Sequence, residues 1–327
     1  MSNRSPGPSS RRTLIVRSLL GVALVCAVLY CVSTGDLLSA LAQVSLGDIV
    51  ILIALSVALI AVSVFKWQLF LRQLGIAPSF AKLFGLYLVG YFVNVFTPSF
   101  IGGDVVRSLA LGRQVNRAHA VSATVLERYT GIVAMLCMAL VACCLSNVVT
   151  QEIVLIVVAA VVGCAIGTWM LFAGWLNRFA SRIGLPAKLT KTFDAVHEGL
   201  VWGVRDRGLL TKAFALSVTF HLLTVVNTAA VGAAVGWSEI PWGGLLVVVP
   251  LILLIGAVPI SPQGLGIQEG AFVFFLHSVG ATTGQALAIA LVLRAKSYLL
   301  ALCGGGVWLL NHKRWQGEGE LLASEIS

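Results

Sequence analysis

Charged residues are scarce in this 327-residue sequence, of which only 11% is Asp, Glu, Lys or Arg and 58% is apolar. A soluble domain usually carries about 25% charged residues, so the composition excludes a water-soluble catalyst. The apolar residues stand in runs of about 17–25 residues, which are long enough to cross the hydrocarbon of a membrane as helices. The sequence therefore predicts an all-α polytopic membrane protein.

Acidic residues, paired cysteines and catalytic motifs are also in short supply. The 13 acidic residues are outnumbered by 22 Lys and Arg, and cytoplasmic flanks of membrane helices account for such an excess, so we expect no nucleic-acid partner. The seven cysteines lie in or beside apolar runs without metal-ligand spacing, which predicts packing residues and no metal site. His197-Glu198 lacks a second histidine at Val201, and no P-loop is present. We expect no enzyme and no cofactor.

Six apolar runs are long enough to span a membrane, and three are too short. The predicted spans are residues 14–32, 49–65, 131–150, 153–173, 213–235 and 286–310. The shorter runs are 83–96, 245–258 and 267–279, and runs of that length predict two re-entrant helical hairpins over 83–106 and 245–279. Tilted or kinked ordinary spans are the alternative.

The ends and the middle of the chain complete this division. Residues 1–13 are predicted to be a disordered cytoplasmic tail and residues 313–327 a second cytoplasmic tail, flanking one membrane domain over 14–312. Apolar residues at helical spacing within 177–207 predict an amphipathic connector on the cytoplasmic leaflet, or a simple connector helix.

The distribution of Lys and Arg predicts the orientation of the chain. With both termini in the cytoplasm, all basic residues except Arg294 and Lys296 fall on the cytoplasmic side of the predicted layout. Residues 14–150 and 153–312 then each consist of span, span, hairpin and span, in opposite orientations. Inverted repeats with broken helices are typical of transporters whose substrate site lies near the midplane.

Polar groups near the predicted helix breaks form two candidate clusters, because charges within a span cost about 2.5–3.5 kcal/mol each and need a partner or a use. In both clusters a proline break precedes a glycine turn and an acidic residue. In the first cluster, Ser99 or Asp104 is expected to cap the helix that follows. The N-terminus of that helix would attract an anion. The first cluster comprises Asn94, Pro98, Gly102, Gly103, Asp104 and Arg107, and the second comprises Pro259, Gly264, Gly266 and Glu269.

Arg294 and Lys296 form a third candidate cluster inside the last predicted span. Two residues apart on a helix, they face different directions and are expected to have different roles. We expect Arg294 to meet Glu127, Glu269 or a lipid phosphate, with a structural ion pair as the alternative. Glu127 and Arg128 are another candidate pair, or a marker of the membrane boundary.

These motifs, in this order, resemble the lysylphosphatidylglycerol synthase transmembrane-region family, also called the flippase-like or UPF0104 family. The three segments that carry the resemblance are Asn94…Pro98…Gly102-Gly103-Asp104…Arg107, then Glu127-Arg128…Gly131, then Pro259…Gly264-Leu265-Gly266…Glu269. The resemblance covers residues 14–312 and implies a membrane domain that moves aminoacylated phosphatidylglycerol between leaflets. Since the sequence ends shortly after its last predicted span, we expect no aminoacyl-transferase domain.

The resulting hypothesis is a lipid flippase or lipid transporter of the cytoplasmic (inner) membrane. Its cargo would be a phospholipid, an aminoacylated phospholipid or an isoprenoid-type lipid, and its partners would be anionic or aminoacylated membrane lipids. Arg107, Arg294 and Lys296 would counter a phosphate, while Asp104, Glu127 and Glu269 would balance those charges or engage a cationic headgroup. A homo-oligomer or a lipid-modifying enzyme partner is compatible with it. The alternatives are a secondary, proton-coupled transporter of small solutes and a non-transporting scaffold for a lipid-modifying enzyme.

Overall fold

A computed structural model describes most of the chain. The ranges it describes are 32–75, 77–97, 101–111, 117–146, 149–172, 205–258 and 261–324, with single residues at 26, 30, 197 and 201. Within these ranges the chain is helical and contains no strand. The predicted tail 1–13, nearly all of the span 14–32 and of the connector 177–207, and both Pro98 and Pro259 lie outside the described residues.

The described part of the chain forms ten α-helices and one short 3₁₀ turn. The helices are α1 (Thr34–Leu41), α2 (Leu46–Gln73), α3 (Phe80–Phe96), α4 (Ile101–Leu111), α5 (Arg117–Leu145), α6 (Gln151–Phe172), α7 (Arg207–Ala234), α8 (Trp242–Gly256), α9 (Ile267–Ser278) and α10 (Thr283–Ser324). The 3₁₀ turn, Pro262–Gly264, lies between α8 and α9.

Within the described residues, five helical segments are long and apolar enough to cross a membrane, which confirms five of the six predicted spans. They are Leu46–Gln73, Ala120–Leu145, Gln151–Met170, Arg207–Ala234 and Thr283–Asn311. The remaining prediction, 14–32, lies outside the described residues. Long uninterrupted apolar runs therefore located these helices correctly.

The boundaries of several predicted spans were wrong. The third, predicted over 131–150, is helix α5, which runs from Arg117 to Leu145. Helix α2 begins at Leu46, because a capping box between Ser45 and Asp48 satisfies its first backbone N–H groups, and it continues to Gln73 instead of ending at 65. Lys66 therefore lies within the helix and not after it. Helix α10 likewise continues past 310 to Ser324.

Two pairs of shorter helices stand where the sequence predicts hairpins. In the first pair α3 contacts α4, and in the second α8 contacts α9. Helices α3 and α8 have 17 and 15 residues, and α4 and α9 have 11 and 12. At about 1.5 Å per residue, none of the four covers the full hydrocarbon thickness when upright.

Contacts between helices link the two halves of the chain. Helix α2 contacts α7, α3 contacts α10, and α5 contacts α8. The 3₁₀ turn between α8 and α9 also contacts α3, so the break in the second helix pair lies against the first pair. Helix α6 is peripheral, since only 11% of its most apolar window is buried, and its apolar face is available to lipid.

Candidate functional site

A network of four charged residues joins α4 to α5. Arg107 on α4 contacts Glu127 on α5, with its Nη2 atom 2.6 Å from Oε2 of the carboxylate. The same Nη2 atom lies 3.1 Å from Oδ1 of Asp104, one turn away on α4. The guanidinium of Arg128 donates two hydrogen bonds, of 2.7 and 2.8 Å, to the carboxylate of Asp104. We call these four residues the α4–α5 network.

The α4–α5 network corrects the prediction that Glu127 pairs with Arg128. Adjacent residues on an α-helix point about 100° apart, so their side chains diverge. Glu127 faces Arg107 in the protein interior, whereas Arg128 reaches Asp104 with a side chain that is 53% exposed. Both residues were correctly expected to be paired, but each with a different partner.

Arg107 is charged but almost completely buried, with 1% of its side chain exposed. Its guanidinium carbon lies 4.5 Å from the ring centroid of Trp67 and 4.1 Å from that of Tyr87. The Tyr87 hydroxyl also donates a hydrogen bond to Glu127. Carboxylates and aromatic faces together compensate the desolvated cation, and they tie α2 and α3 to the network.

Close helix contact fixes the start of α4. The Asn94 side chain on α3 accepts a hydrogen bond of 2.7 Å from the backbone N–H of Gly103. A Cβ at Gly103 would contact the Gly90 carbonyl, and one at Gly102 would contact the Thr97 side chain, so both positions need glycine. Ser99 lies outside the described residues, and the Asp104 carboxylate binds arginines. In the described part, Asn94 therefore supplies the cap that was expected from Ser99 or Asp104.

A second charged cluster joins α9 to α10. The Nε of Arg294 donates to Glu269 Oε1, which identifies Glu269 as the partner among the three that the sequence suggested. The other Glu269 oxygen accepts a hydrogen bond of 2.7 Å from the Gly266 N–H. Arg294 also reaches the Gln263 carbonyl and the Gln268 side chain at 3.4 Å each. The arginine thus binds the turn before α9 as well as the helix itself.

Lys296 has a different environment from its neighbour Arg294. Its ammonium donates a hydrogen bond of 2.8 Å to the Asn227 side-chain oxygen on α7. No carboxylate of the described residues lies within the 4.0 Å of an ion pair with Lys296. Arg294 and Lys296 therefore have different partners, while the expectation that they have different roles stays a prediction.

The turn between α8 and α9 holds a strained backbone. Gln263 has a φ of 50°, in the left-handed region that residues with a Cβ rarely adopt, and Gly264 and Gly266 follow at 68° and 81°. The side-chain oxygen of Gln263 is buried without a hydrogen-bond partner in the described part of the chain. Strain and an unsatisfied acceptor of this kind are found preferentially at functional sites.

The second cluster opens into a cavity of about 200 Å³ between the two halves of the chain. We call it the central cavity. Its polar wall includes Tyr91, Asn227, Gln268, Glu269, Arg294 and Lys296, and its apolar wall includes Leu59, Phe220, Leu253, Phe272, Leu293 and Leu300. Helices α2, α3, α7, α8, α9 and α10 all contribute. The α4–α5 network does not line the central cavity.

Comparison with known proteins identifies the family of this chain and two of its relatives. The family described as "Lysylphosphatidylglycerol synthase TM region" matches residues 14–305. The chain belongs to this family. A "UPF0104 membrane protein" of Methanothermobacter thermautotrophicus is 24% identical, over 89% of this chain and 90% of the relative. A second protein of the same description and organism is 20% identical, over 86% of this chain and 90% of its own length.

Membership of the lysylphosphatidylglycerol synthase transmembrane-region family and the five apolar helices identify a multi-pass membrane protein. Among its described residues no group of three or more His, Cys, Asp or Glu is placed to hold a metal ion. The embedded histidines are hydrogen-bonded to backbone carbonyls, His221 to Gly131 at 3.0 Å and His277 to Ala281 at 2.9 Å. One nitrogen of each ring is thus bound to the backbone, while Nδ1 of His221 is buried without a partner among the described residues.

Sequence reasoning missed several polar residues of this family member. Lys66 was assigned to a cytoplasmic flank, yet it is 6% exposed within α2 and donates to the Ser217 hydroxyl at 3.1 Å. Asn227 lies inside a predicted span, and an amide in such a place is a signal that could have been used. Trp67 and Tyr87 gave no signal, because aromatic residues in apolar runs are normally packing residues.

Proposed function

We propose that the protein is a lipid translocator of the cytoplasmic membrane rather than an enzyme, and that the central cavity receives the headgroup of its cargo. One observation carries the proposal: Glu269, Arg294 and Lys296 line a cavity among helices that cross the membrane. A charge within a membrane span costs about 2.5–3.5 kcal/mol on insertion scales, and charges that are kept in spite of this cost typically mark a substrate path.

The central cavity is large enough for a headgroup but not for a whole lipid, and its mixed lining favours a lipid over a small solute. Pockets that enclose a whole drug-sized ligand measure roughly 300–1,000 Å³, whereas this cavity measures about 200 Å³. A headgroup fits the polar wall, and the acyl chains would remain outside among the apolar side chains. Leu59, Phe272 and Leu300 on the apolar wall suit the first methylenes of those chains.

An inverted repeat of residues 14–150 and 153–312, with both termini in the cytoplasm, would supply the alternating access that translocation needs. The helix contacts support such a repeat. Exchange of the two halves converts the α3–α10 contact into the α8–α5 contact, and it leaves the α2–α7 contact unchanged. In this arrangement α3–α4 and α8–α9 are re-entrant hairpins, one entering from each side.

The charged pairs would hold each hairpin onto the span that follows it. In the first half Arg107 on α4 binds Glu127 on α5, and in the second half Glu269 on α9 binds Arg294 on α10. The sign of the charge is reversed between the two pairs, but the helices that they join correspond. Each half could then rock as a unit, which would open the central cavity to one leaflet at a time.

The experiment that tests this function follows fluorescent-headgroup lipids in proteoliposomes that contain the wild type or Glu269→Gln. An amide cannot replace the charge that binds Arg294, so we expect the rate of headgroup translocation to fall by at least tenfold. Glu152→Gln is the matched control, because Glu152 lies in the first turn of α6, away from the central cavity.

Two outcomes of this experiment would contradict the proposal. If the wild type moves no headgroup faster than protein-free vesicles do, the protein is not a translocator of the lipids tested, and solute uptake or scaffolding becomes the better account. If Glu269→Gln translocates as fast as Glu152→Gln, the central cavity is not the path.

A further inference from the structure

Lys296 is distinguished from the arginines by the charge around it. Arg107, Arg128 and Arg294 each contact a carboxylate, so their charges are already balanced within the protein. Lys296 has only the neutral side chain of Asn227 as a described hydrogen-bond partner. Among the described residues, one carboxylate and two cations line the central cavity, and together they give it a formal charge of +1.

We infer that Lys296, oriented by Asn227, binds the phosphate of an anionic lipid headgroup in the central cavity, and that the cavity disfavours headgroups that carry an ammonium group. This inference rests on the proposed function and names its substrate class. It also assigns the phosphate to Lys296 alone, in place of the three residues, Arg107, Arg294 and Lys296, that the sequence suggested.

The hydrogen-bonding capacity of Lys296 suits a phosphate. An ammonium group has three N–H donors, and Asn227 occupies one of them at 2.8 Å. Two donors remain for phosphate oxygens on the side of the cavity that Lys296 lines. A lipid phosphodiester carries one negative charge, which would neutralise the formal charge of the cavity.

The carboxylate of the central cavity is already paired with a cation of the protein. Both oxygens of Glu269 already have partners, since one accepts from Arg294 and the other from the Gly266 N–H. An ammonium group on the cargo would therefore meet Arg294 and Lys296 without an unpaired carboxylate, among the described lining residues, to balance it. Like charges at short range in a low-dielectric site repel strongly, so the cavity should select against such lipids.

Direct binding tests this inference separately from transport. The full-length protein in detergent micelles is titrated with short-chain phosphatidylglycerol, short-chain phosphatidylcholine or inorganic phosphate, and binding is measured by calorimetry. We expect the anionic lipid to bind at least tenfold more tightly than the zwitterionic lipid. We expect Lys296→Met to weaken binding of the anionic lipid by about tenfold, and Lys296→Arg to retain most of it.

Lys66→Met is the matched control. Lys66 is also a buried lysine with no described carboxylate in ion-pair distance and one hydrogen bond to α7, but it does not line the central cavity. We expect this variant to bind the anionic lipid as the wild type does. A loss that occurs in both variants would mean that any buried lysine has this effect, and it would overturn the assignment.

Other results would also overturn it. Equal affinity of the wild type for the two lipids contradicts the selectivity, and this arm needs no variant to fold. Tight, Lys296-dependent binding of inorganic phosphate without binding of either lipid would indicate a site for free phosphate. Failure of the proposed function gives a different result. Lys296-dependent lipid binding without translocation would contradict the proposed function but support the binding site. Translocation that is unaffected by Lys296→Met would support the proposed function but contradict the role of Lys296.

Discussion

Arg107 is among the largest side chains that the described part of the chain buries completely. A buried ion pair adds little net stability, but the removal of one partner leaves the other as an uncompensated charge. Arg107 differs in this respect from Arg128, whose side chain is 53% exposed. The two arginines of the α4–α5 network are therefore expected to differ in their effect on the free energy of unfolding.

Removal of the Glu127 charge should destabilise the protein strongly. We expect Glu127→Gln to lower the free energy of unfolding by about 3–5 kcal/mol, because it leaves the Arg107 guanidinium with only the shared Asp104 carboxylate. Arg128→Gln should cost no more than about 1 kcal/mol. Thermal unfolding of both variants in detergent measures the difference, and equal midpoints would contradict the assignment of Arg107 and Glu127 as the buried pair.

The sequence predicted the charged residues of the site better than it predicted their partners. It indicated Asp104, Arg107, Glu127, Arg128, Glu269, Arg294 and Lys296, because a charge in an apolar run is conspicuous. It could not assign most of the partners, since Arg107 meets a residue 20 positions away and Arg294 one 25 positions away. Which helices lie side by side decides such pairs, and that information is not in the local sequence.

At the scale of single helices, the contact between α3 and α4 depends on backbone proximity. Membrane helices gain no hydrophobic energy from association within lipid, so close packing and hydrogen bonds must hold them together. Gly103 provides both, because it lies against Gly90 and donates its N–H to Asn94. The first helix pair is therefore sensitive to a single methyl group.

Gly103→Ala should loosen the first helix pair. The added Cβ would contact the Gly90 carbonyl backbone, which has no rotamer to change, and overpacking of this kind costs about 1–3 kcal/mol. Gly163→Ala on α6 is the matched control, because no atom lies within 4 Å of the added Cβ and alanine is the better helix former. Thermal unfolding compares the two; a Gly103→Ala variant as stable as Gly163→Ala would show that α3 and α4 do not approach so closely.

Helices as units were predicted well, and their ends were not. Five spans follow from run length alone, since lipid requires a minimum length of apolar helix. The end of α2 could not be placed, because the helix extends beyond its most apolar part and buries Lys66 against Ser217. Hydropathy marks where lipid surrounds a helix, whereas capping and packing decide where the helix begins and ends.

For the molecule as a whole, the proposed translocation requires the two halves to move relative to each other. The ends of α5 and α8 provide a place to prevent this movement. A Cβ built on Gly243, in the first turn of α8, would lie 3.3 Å from the Cβ of Ser146, which follows α5. That separation is close to the roughly 3.5–4.5 Å found in disulfides, so a cysteine pair can join the two halves.

A disulfide between Ser146→Cys and Gly243→Cys, in a background without the native cysteines, should stop translocation. We expect the oxidised protein to translocate at least tenfold more slowly than the reduced protein, with recovery when reductant is added. Each single cysteine variant under the same oxidising conditions is the control. Translocation at equal rates in the oxidised and reduced forms would mean that the α5–α8 contact stays closed, and rocking of the halves would then be wrong.

Lipid translocation by the protein is tested most directly with the wild type alone, reconstituted into vesicles with one labelled lipid at a time. A membrane-impermeant quencher reports how much of each anionic, zwitterionic, aminoacylated or isoprenoid lipid reaches the outer leaflet. We expect the extent of quenching to exceed the outer-leaflet share that is quenched in protein-free vesicles. We also expect quenching to be fastest for anionic phospholipids. Quenching equal to that of protein-free vesicles for every lipid class would contradict both expectations.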